Sequence, residues 1–170
     1  TKTMSMINIG GQKSTSSLTN VNFAKDVQPN AVDLRLGKVF RILSNTFEID
    51  EEKKVHRGSE EIQPDVDGYY FLEVGDYEVI MENEIEVGDG EAGFVITRST
   101  LNRNGCFLTS GLYDTGYNGV MAGVMHVGIG PVRIQQGTRI GQYLNWEAEA
   151  LSSYDGDYGK GKEHDKKYGA

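Results

Sequence analysis

Alternation of apolar and polar residues dominates the middle of the chain. The stretch AVDLRLGKVFRI, residues 31–42, places apolar side chains at close to every second position and is bounded by Pro29-Asn30 and Ser44-Asn45. A period of two marks a strand with one buried face, and Pro, Asn and Ser are turn formers. Runs of the same kind follow at short spacing: YYFLEV, DYEVIM, EIEV, AGFVITRS, CFLTSGLY, GVMAGVMHVG, PVRIQQG and RIGQYLNW, separated mostly by Gly, Asp or Asn. Almost no segment sustains a helical period, so the pattern predicts an all-β sandwich or barrel.

The ends read differently. The first thirty residues are rich in Ser, Thr, Asn and Gly, which predicts an arm or irregular lead-in with room for one short helix. Glu48 to Glu61 is charged and polar, a solvated excursion whose plainest reading is a surface loop without a function of its own. After Trp146, EAEALSS is compatible with one helical turn, and YDGDYGKGKEHDKKYGA lacks apolar periodicity. Residues 1–150 are therefore expected to form one domain and 151–170 a mobile C-terminal arm. The arm is either an ordinary loose end or a flap. Tyr154, Tyr158 and Tyr168, interleaved with Lys160, Lys162, Lys166 and Lys167, suit an anionic ligand that bears a flat ring.

Charge and composition narrow the classes. With 25 acidic against 17 basic side chains in 170 residues, the net charge of −8 argues against a surface that tracks nucleic acid, while leaving room for a small anion in a local basic pocket. No apolar run is long enough for a bilayer span and no basic-then-apolar leader opens the sequence, so no membrane partner and a cytoplasmic location are expected. Cys106 stands alone in an apolar run and reads as buried filler rather than a nucleophile. His56, His126 and His164 have no zinc-like spacing, and His126, on a strand, reads as a packed or interface residue. Trp146 reads as packing.

Three segments can carry chemistry. Arg98-Ser99-Thr100-Leu101-Asn102-Arg103 places two guanidiniums and two hydroxyls just after the strand GFVIT, where they suit phosphate oxygens or, more plainly, pair with one of the abundant acids. Asp114-Thr115-Gly116-Tyr117-Asn118-Gly119 looks like a hairpin tip, in which Asp114 alone is an ordinary turn former. PVRIQQGTRIGQYL reads as another hairpin, with Gly137 at the turn and Arg139 and Gln142 on the following strand.

In order and spacing, AVDLRLG, RSTLNR, YDTGYNG and GPVRIQQGTRIGQ together resemble the dUTPase superfamily, the trimeric dUTP pyrophosphatases and related dCTP deaminases, over about Ala31 to Leu144. The resemblance implies a distorted, jelly-roll-like β-barrel, a homotrimer with sites shared between subunits, and closure by the C-terminal arm. It implies that Asp114 binds near the sugar 3′-hydroxyl and activates the attacking water. It also implies that Tyr117 packs under the deoxyribose and excludes a 2′-hydroxyl. Arg98, Ser99, Thr100, Arg103 and Gln142 are implied to hold the phosphates. Asp33 supports the site through water or organises the interface, and the backbone around Ser110, Gly111 and Leu112 reads the base. Mg²⁺ would be carried by the triphosphate and water rather than by a cage of protein ligands.

AVDLRLG and RSTLNR look more like the deaminase branch, since the second motif of ordinary dUTPases usually runs Arg-Ser-Gly. Two departures point the other way. Deamination needs a Glu five residues after the hairpin's closing Gly, and counting from Gly119 that position is Val124; no acid occurs between Asp114 and Glu147. The deaminases also carry an Arg two residues before the hairpin Asp, where Leu112 stands. The expectation is Mg²⁺-dependent hydrolysis of a pyrimidine deoxynucleoside triphosphate, dUTP and also or instead dCTP, to monophosphate and pyrophosphate. The alternatives are a dCTP deaminase with a displaced base and a catalytically silent nucleotide-binding trimer. The tail lacks the usual glycine-rich final motif with a stacking Phe and offers Tyr and Lys instead.

Overall fold

The computed structural model describes residues 3–7 and 13–169. Its strands are, in chain order, β1 (Thr3–Ile7), β2 (Lys13–Thr19), β3 (Val32–Ile42), β4 (Glu48–Ile49), β5 (Lys54–Val55), β6 (Ser59–Ile62), β7 (Tyr69–Leu72), β8 (Gly75–Glu86), β9 (Glu91–Thr97), β10 (Cys106–Thr109), β11 (Asn118–Val127), β12 (Val132–Gln135) and β13 (Arg139–Glu147). Two helices of one turn, α1 (Phe23–Asp26) and α2 (Ser99–Arg103), and a 3-10 turn at His164–Tyr168 complete the fold. The all-β expectation holds.

Strand β8 is the spine. It pairs antiparallel with β11 along one edge, while β3 and then β2 share the other. β3 continues to β13 and β13 to β9, so the sheet curls round until β9 faces β10. That seam has no ladder: a single bridge joins Gly93 to Tyr113, and Thr97 Oγ1 accepts from the Leu108 N–H at 2.8 Å. The result is a nearly closed barrel filled by Leu34, Leu36, Met121, Met125, Ile140 and Tyr143, each almost fully buried. Gly93 is required at the seam, because a Cβ there would run into the Tyr143 hydroxyl.

The structure departs from the sequence reading at several places. The lead-in is not irregular: β1 and β2 form an antiparallel pair and β2 joins the sheet beside β8. Within the excursion, β4 and β5 make a small exposed hairpin, but β6 pairs with β3 over Val39–Ile42. The runs DYEVIM and EIEV are one strand, because buried Asn83 between them accepts from the Arg35 N–H at 3.0 Å and donates to the Thr19 carbonyl at 2.7 Å. After Trp146 there is no helical turn; the Ala148 N–H instead continues the strand pairing onto the Gly90 carbonyl. The C-terminal segment lies on the sheet, with Tyr168 packed on Phe40, Ile80 and Val120. Widely spaced tyrosines supply apolar anchors that a composition average conceals.

Candidate active site

The Asp114 turn hangs at the open seam. Gly116, at φ +87°, turns the chain where an L side chain would be strained. The Gly116 N–H donates to the Val87 carbonyl at 3.0 Å, the Val87 N–H to the Tyr117 carbonyl at 2.8 Å, and Thr115 Oγ1 to the Glu91 carbonyl at 2.6 Å. Asp114 itself is exposed at the mouth of a cavity of about 620 Å³ shared with Leu112, Trp146 and Tyr154. Tyr117 is buried beneath, its hydroxyl donating to the Val120 carbonyl at 2.7 Å and its ring edge-on to Tyr113 and Tyr154 at 5.5 and 5.2 Å. Burial pushes the Tyr117 phenol well above its ordinary range, so it stays a neutral wall.

A second cavity, about 320 Å³, runs from Gly111 past Tyr113 and Tyr117 to Ala122, with Tyr154 and Tyr158 of the C-terminal segment on its far side. The Tyr154 N–H donates to the Thr115 carbonyl at 2.7 Å and the Lys160 N–H to the Asn118 carbonyl at 2.8 Å. Turn and tail are thus one unit. Tyr154 and Tyr158 are the tail residues that reach the Gly111 pocket.

The phosphate-binding candidates gather elsewhere, around Asp33. Asp33 is fully buried; its Oδ2 accepts from Gln28 Nε2 at 2.9 Å and an Arg139 guanidinium nitrogen at 3.1 Å, and its Oδ1 from Gln142 Nε2 at 3.1 Å. Arg98 Nε lies 3.8 Å from the same carboxylate. Residues three apart on a regular strand face opposite sides, yet Arg139 and Gln142 meet at Asp33 because the pairing of β13 with β3 slips between Arg139 and Gly141. Arg98 caps α2, which leaves Ser99, Thr100 and Arg103 exposed on one turn. Arg35 grips Asp26 through two nitrogens at 3.0 and 2.7 Å and bonds the Gly137 carbonyl at 3.0 Å, fixing the turn before β13.

The candidates therefore fall into two groups. Gly111, Asp114 and Tyr117 line cavities that do not include Arg98, Ser99, Thr100, Arg103, Gln142 or Asp33. Gln28 joins Asp33 without having been singled out by sequence, which places Arg139 only as a strand residue beside Gln142, and Tyr154 only among the flap tyrosines. The slip in β13 that turns Arg139 inward leaves no mark on the pattern. His126 is accounted for structurally: Nδ1 lies 2.6 Å from Asp76 and the ring stacks on Phe107 at 4.5 Å. Cys106 is buried, which pushes its thiol up and away from reactivity. Across the ladder from Val124 stands Glu78, whose Oε2 accepts from the Tyr168 hydroxyl at 3.0 Å and whose Oε1 lies 3.2 Å from Lys167 Nζ.

Comparison with known proteins bears directly on this arrangement. The profile of the dCTP deaminase-like family matches residues 11–147. The chain belongs to that family. Two family relatives are a probable deoxyuridine 5′-triphosphate nucleotidohydrolase of Aeropyrum pernix, 33% identical over 78% of this chain and 84% of that protein, and the deoxyuridine 5′-triphosphate nucleotidohydrolase of Methanocaldococcus jannaschii, 31% identical over 88% and 97%. The crystal structure of 2′-deoxycytidine 5′-triphosphate deaminase from Agrobacterium tumefaciens superposes with a TM-score of 0.59 at 17% identity, covering 81% of this chain and 45% of that one. It shares the family's fold. Among the described residues, no helix is long and apolar enough to cross a membrane.

Proposed function

We propose that the protein hydrolyses a pyrimidine deoxynucleoside triphosphate, dUTP first and dCTP as a second substrate, to the monophosphate and pyrophosphate. The observation that carries this reading is the Asp114–Tyr117 turn: it sets an exposed carboxylate on one cavity and a buried, uncharged aromatic ring on the wall of the neighbouring one. The archaeal relatives named as deoxyuridine triphosphate nucleotidohydrolases support it.

Asp114 accepts the proton of a water whose oxygen attacks the α-phosphorus; the bond to the bridging oxygen breaks, and that oxygen leaves with pyrophosphate. Arg98 and Gln142, backed by Asp33, with Ser99, Thr100 and Arg103 on the exposed turn, hold phosphate oxygens by charged and neutral hydrogen bonds. Tyr117 closes the sugar pocket against a 2′-hydroxyl, and backbone at Ser110, Gly111 and Leu112 reads the base. Among the described residues no three His, Cys, Asp or Glu side chains are grouped to cage a metal. Mg²⁺ carried largely by triphosphate and water would need no such cage, and the exposed Asp114 would be the carboxylate available to it. When bound, the ion would neutralise charge on the phosphates.

Sharing of sites in a homotrimer is part of the proposal. Phe94 and Ile96 are exposed on β9, and across the ladder from them stand Leu144 and Gln142. An apolar patch of this kind marks a contact surface, and here it contains a phosphate-site candidate. Incubation of the protein and Mg²⁺ with dUTP, dCTP, dTTP and UTP, followed by anion-exchange chromatography, tests the reaction. Monophosphate and pyrophosphate from dUTP or dCTP, with UTP untouched, is the expected result. Formation of dUTP from dCTP would replace hydrolysis with deamination, and unchanged nucleotides throughout would leave a binding role.

A further inference from the structure

The turn that carries Asp114 takes its position from a neighbour, not from its own ladder. Gly116, Tyr117 and Thr115 all bond to the link between β8 and β9, at Val87 and Glu91. That link is held in turn to β2 by a cluster of side chains centred on the Glu91 carboxylate. The Glu91 carboxylate is 3% exposed, and its Oε1 accepts from Ser14 Oγ at 2.5 Å, Ser16 Oγ at 2.6 Å, Asn145 Nδ2 at 3.1 Å and the Ser16 N–H at 3.3 Å. Its Oε2 accepts from the Thr15 N–H at 3.3 Å. Two further bonds close the staple: the Gly88 N–H donates to Ser16 Oγ at 2.9 Å and Thr15 Oγ1 to the Asp89 carbonyl at 2.8 Å.

Burying a carboxylate is costly unless donors surround it, and packing alone would be served better by an apolar residue. Burial opposes ionisation of Glu91, but hydrogen bonds from Ser14, Ser16, Thr15 and Asn145 outweigh it and hold the carboxyl below its ordinary value. What the charge adds is a fixed acceptor that gathers donors from β2 and β13 at one point. We propose that Glu91 is a positioning residue, which locks the link between β8 and β9 to β2 and thereby sets the place of the Asp114–Tyr117 turn. Its effect on turnover rests on the hydrolase reading, whereas its effect on the turn does not.

The test uses the full chain with Glu91→Gln, Glu91→Ala, Ser14→Ala and the double variant Ser14→Ala/Ser16→Ala; the serine variants leave the acid in place, Ser14→Ala removing one donor and the pair removing two together with the acceptor of the Gly88 N–H. Hydrogen–deuterium exchange at the Gly116 and Tyr117 amides is read without nucleotide, and kcat and KM for dUTP are read separately. Glu91→Ala and the serine variants are expected to speed exchange at the turn by about tenfold or more. They should lower kcat by about tenfold while KM stays within about threefold, since small displacements at a reacting group fall on the chemical step. Glu91→Gln keeps an Oε1 acceptor and should recover most of both. A lowered melting temperature with turn exchange or kcat unchanged would overturn the proposal. Should Glu91→Ala not fold, Ser14→Ala, which leaves the bond from the Gly88 N–H to Ser16 intact, decides. Should the unmodified protein fail to hydrolyse dUTP, the hydrolase reading fails and turn exchange alone still decides the lock.

Discussion

Asp33 is the charge around which the proposed phosphate-binding side chains gather, and Asp33→Asn measures it. The substitution is nearly isosteric, and the new amide can keep its oxygen where Oδ2 stood, still accepting from Gln28 and Arg139. Its NH₂ then faces Gln142 Nε2, so Gln142 must rotate its own amide and present a carbonyl. After that rotation the number of hydrogen bonds is unchanged. The loss is Coulombic: Arg139 at 3.1 Å and Arg98 at 3.8 Å no longer face an anion. Removing one partner of a buried pair costs about 3–5 kcal/mol, but both arginines are roughly one-third exposed and recover part of that from water. About 2 kcal/mol remains, or a fall in melting temperature of about 4–8 °C for a chain of this size. Calorimetry at fixed protein concentration reads the stability, and steady-state kinetics should show KM for dUTP raised, because Arg98 and Arg139 are no longer held by the Asp33 carboxylate. A melting temperature within about 1 °C of the unmodified protein, together with an unchanged KM, would refute the assignment of Asp33 as the organiser of this cluster.

Asp114→Asn should lower kcat by about a hundredfold to ten-thousandfold, the usual contribution of a positioned base, with stability changed by less than about 0.5 kcal/mol because the side chain is exposed; retained turnover measured by pyrophosphate release would remove it from the mechanism. Tyr117→Ala should raise UTP turnover relative to dUTP, whereas Tyr117→Phe, which loses only the bond to the Val120 carbonyl, should keep the ratio; equal ratios in all three proteins would end the steric account. Acid should destabilise the protein through Glu91 and Asp26, whose folded carboxyls lie below their ordinary values of 4.5 and 3.8. For both, burial opposes the charge and hydrogen bonds win. A depressed carboxyl contributes stability above its unfolded value and loses it as the pH falls through the folded one, so melting temperature should be flat above about pH 5 and decline below it. A melting temperature that does not change between pH 6 and 3 would contradict this.

The strands were legible because alternation survives wherever one face is buried, as in AVDLRLGKVFRI, which became β3 almost to the residue. Legibility failed where a polar side chain sits inside an element or a tertiary partner supplies what composition lacks. Asn83 interrupts the pattern of β8 but not its hydrogen bonding, and Ser14 and Ser16 look like loop residues until Glu91 is placed between them. Motif order brought Asp114, Tyr117, Arg98 and Gln142 forward, through the resemblance to the dUTPase superfamily. Arg139 was legible as a strand residue beside Gln142 but not as a partner of Asp33, because only the slip in register against β3 swings it there. Tyr154 was legible as one of three flap tyrosines but not by its place, which depends on the tail returning to the Thr115 carbonyl.

The division of the candidates between the Asp114 turn and the Asp33 cluster has a consequence for inheritance. On the shared-site reading, a subunit is half of one site and half of another. A copy crippled at Asp114 and a copy crippled at Arg98 are each inert alone. When they assemble at random, about a quarter of the sites draw both halves from sound positions. Two defective alleles would therefore complement each other inside the oligomer. A single allele dead at both positions could rescue nothing, so the assembly, not the chain, would be the unit on which selection acts.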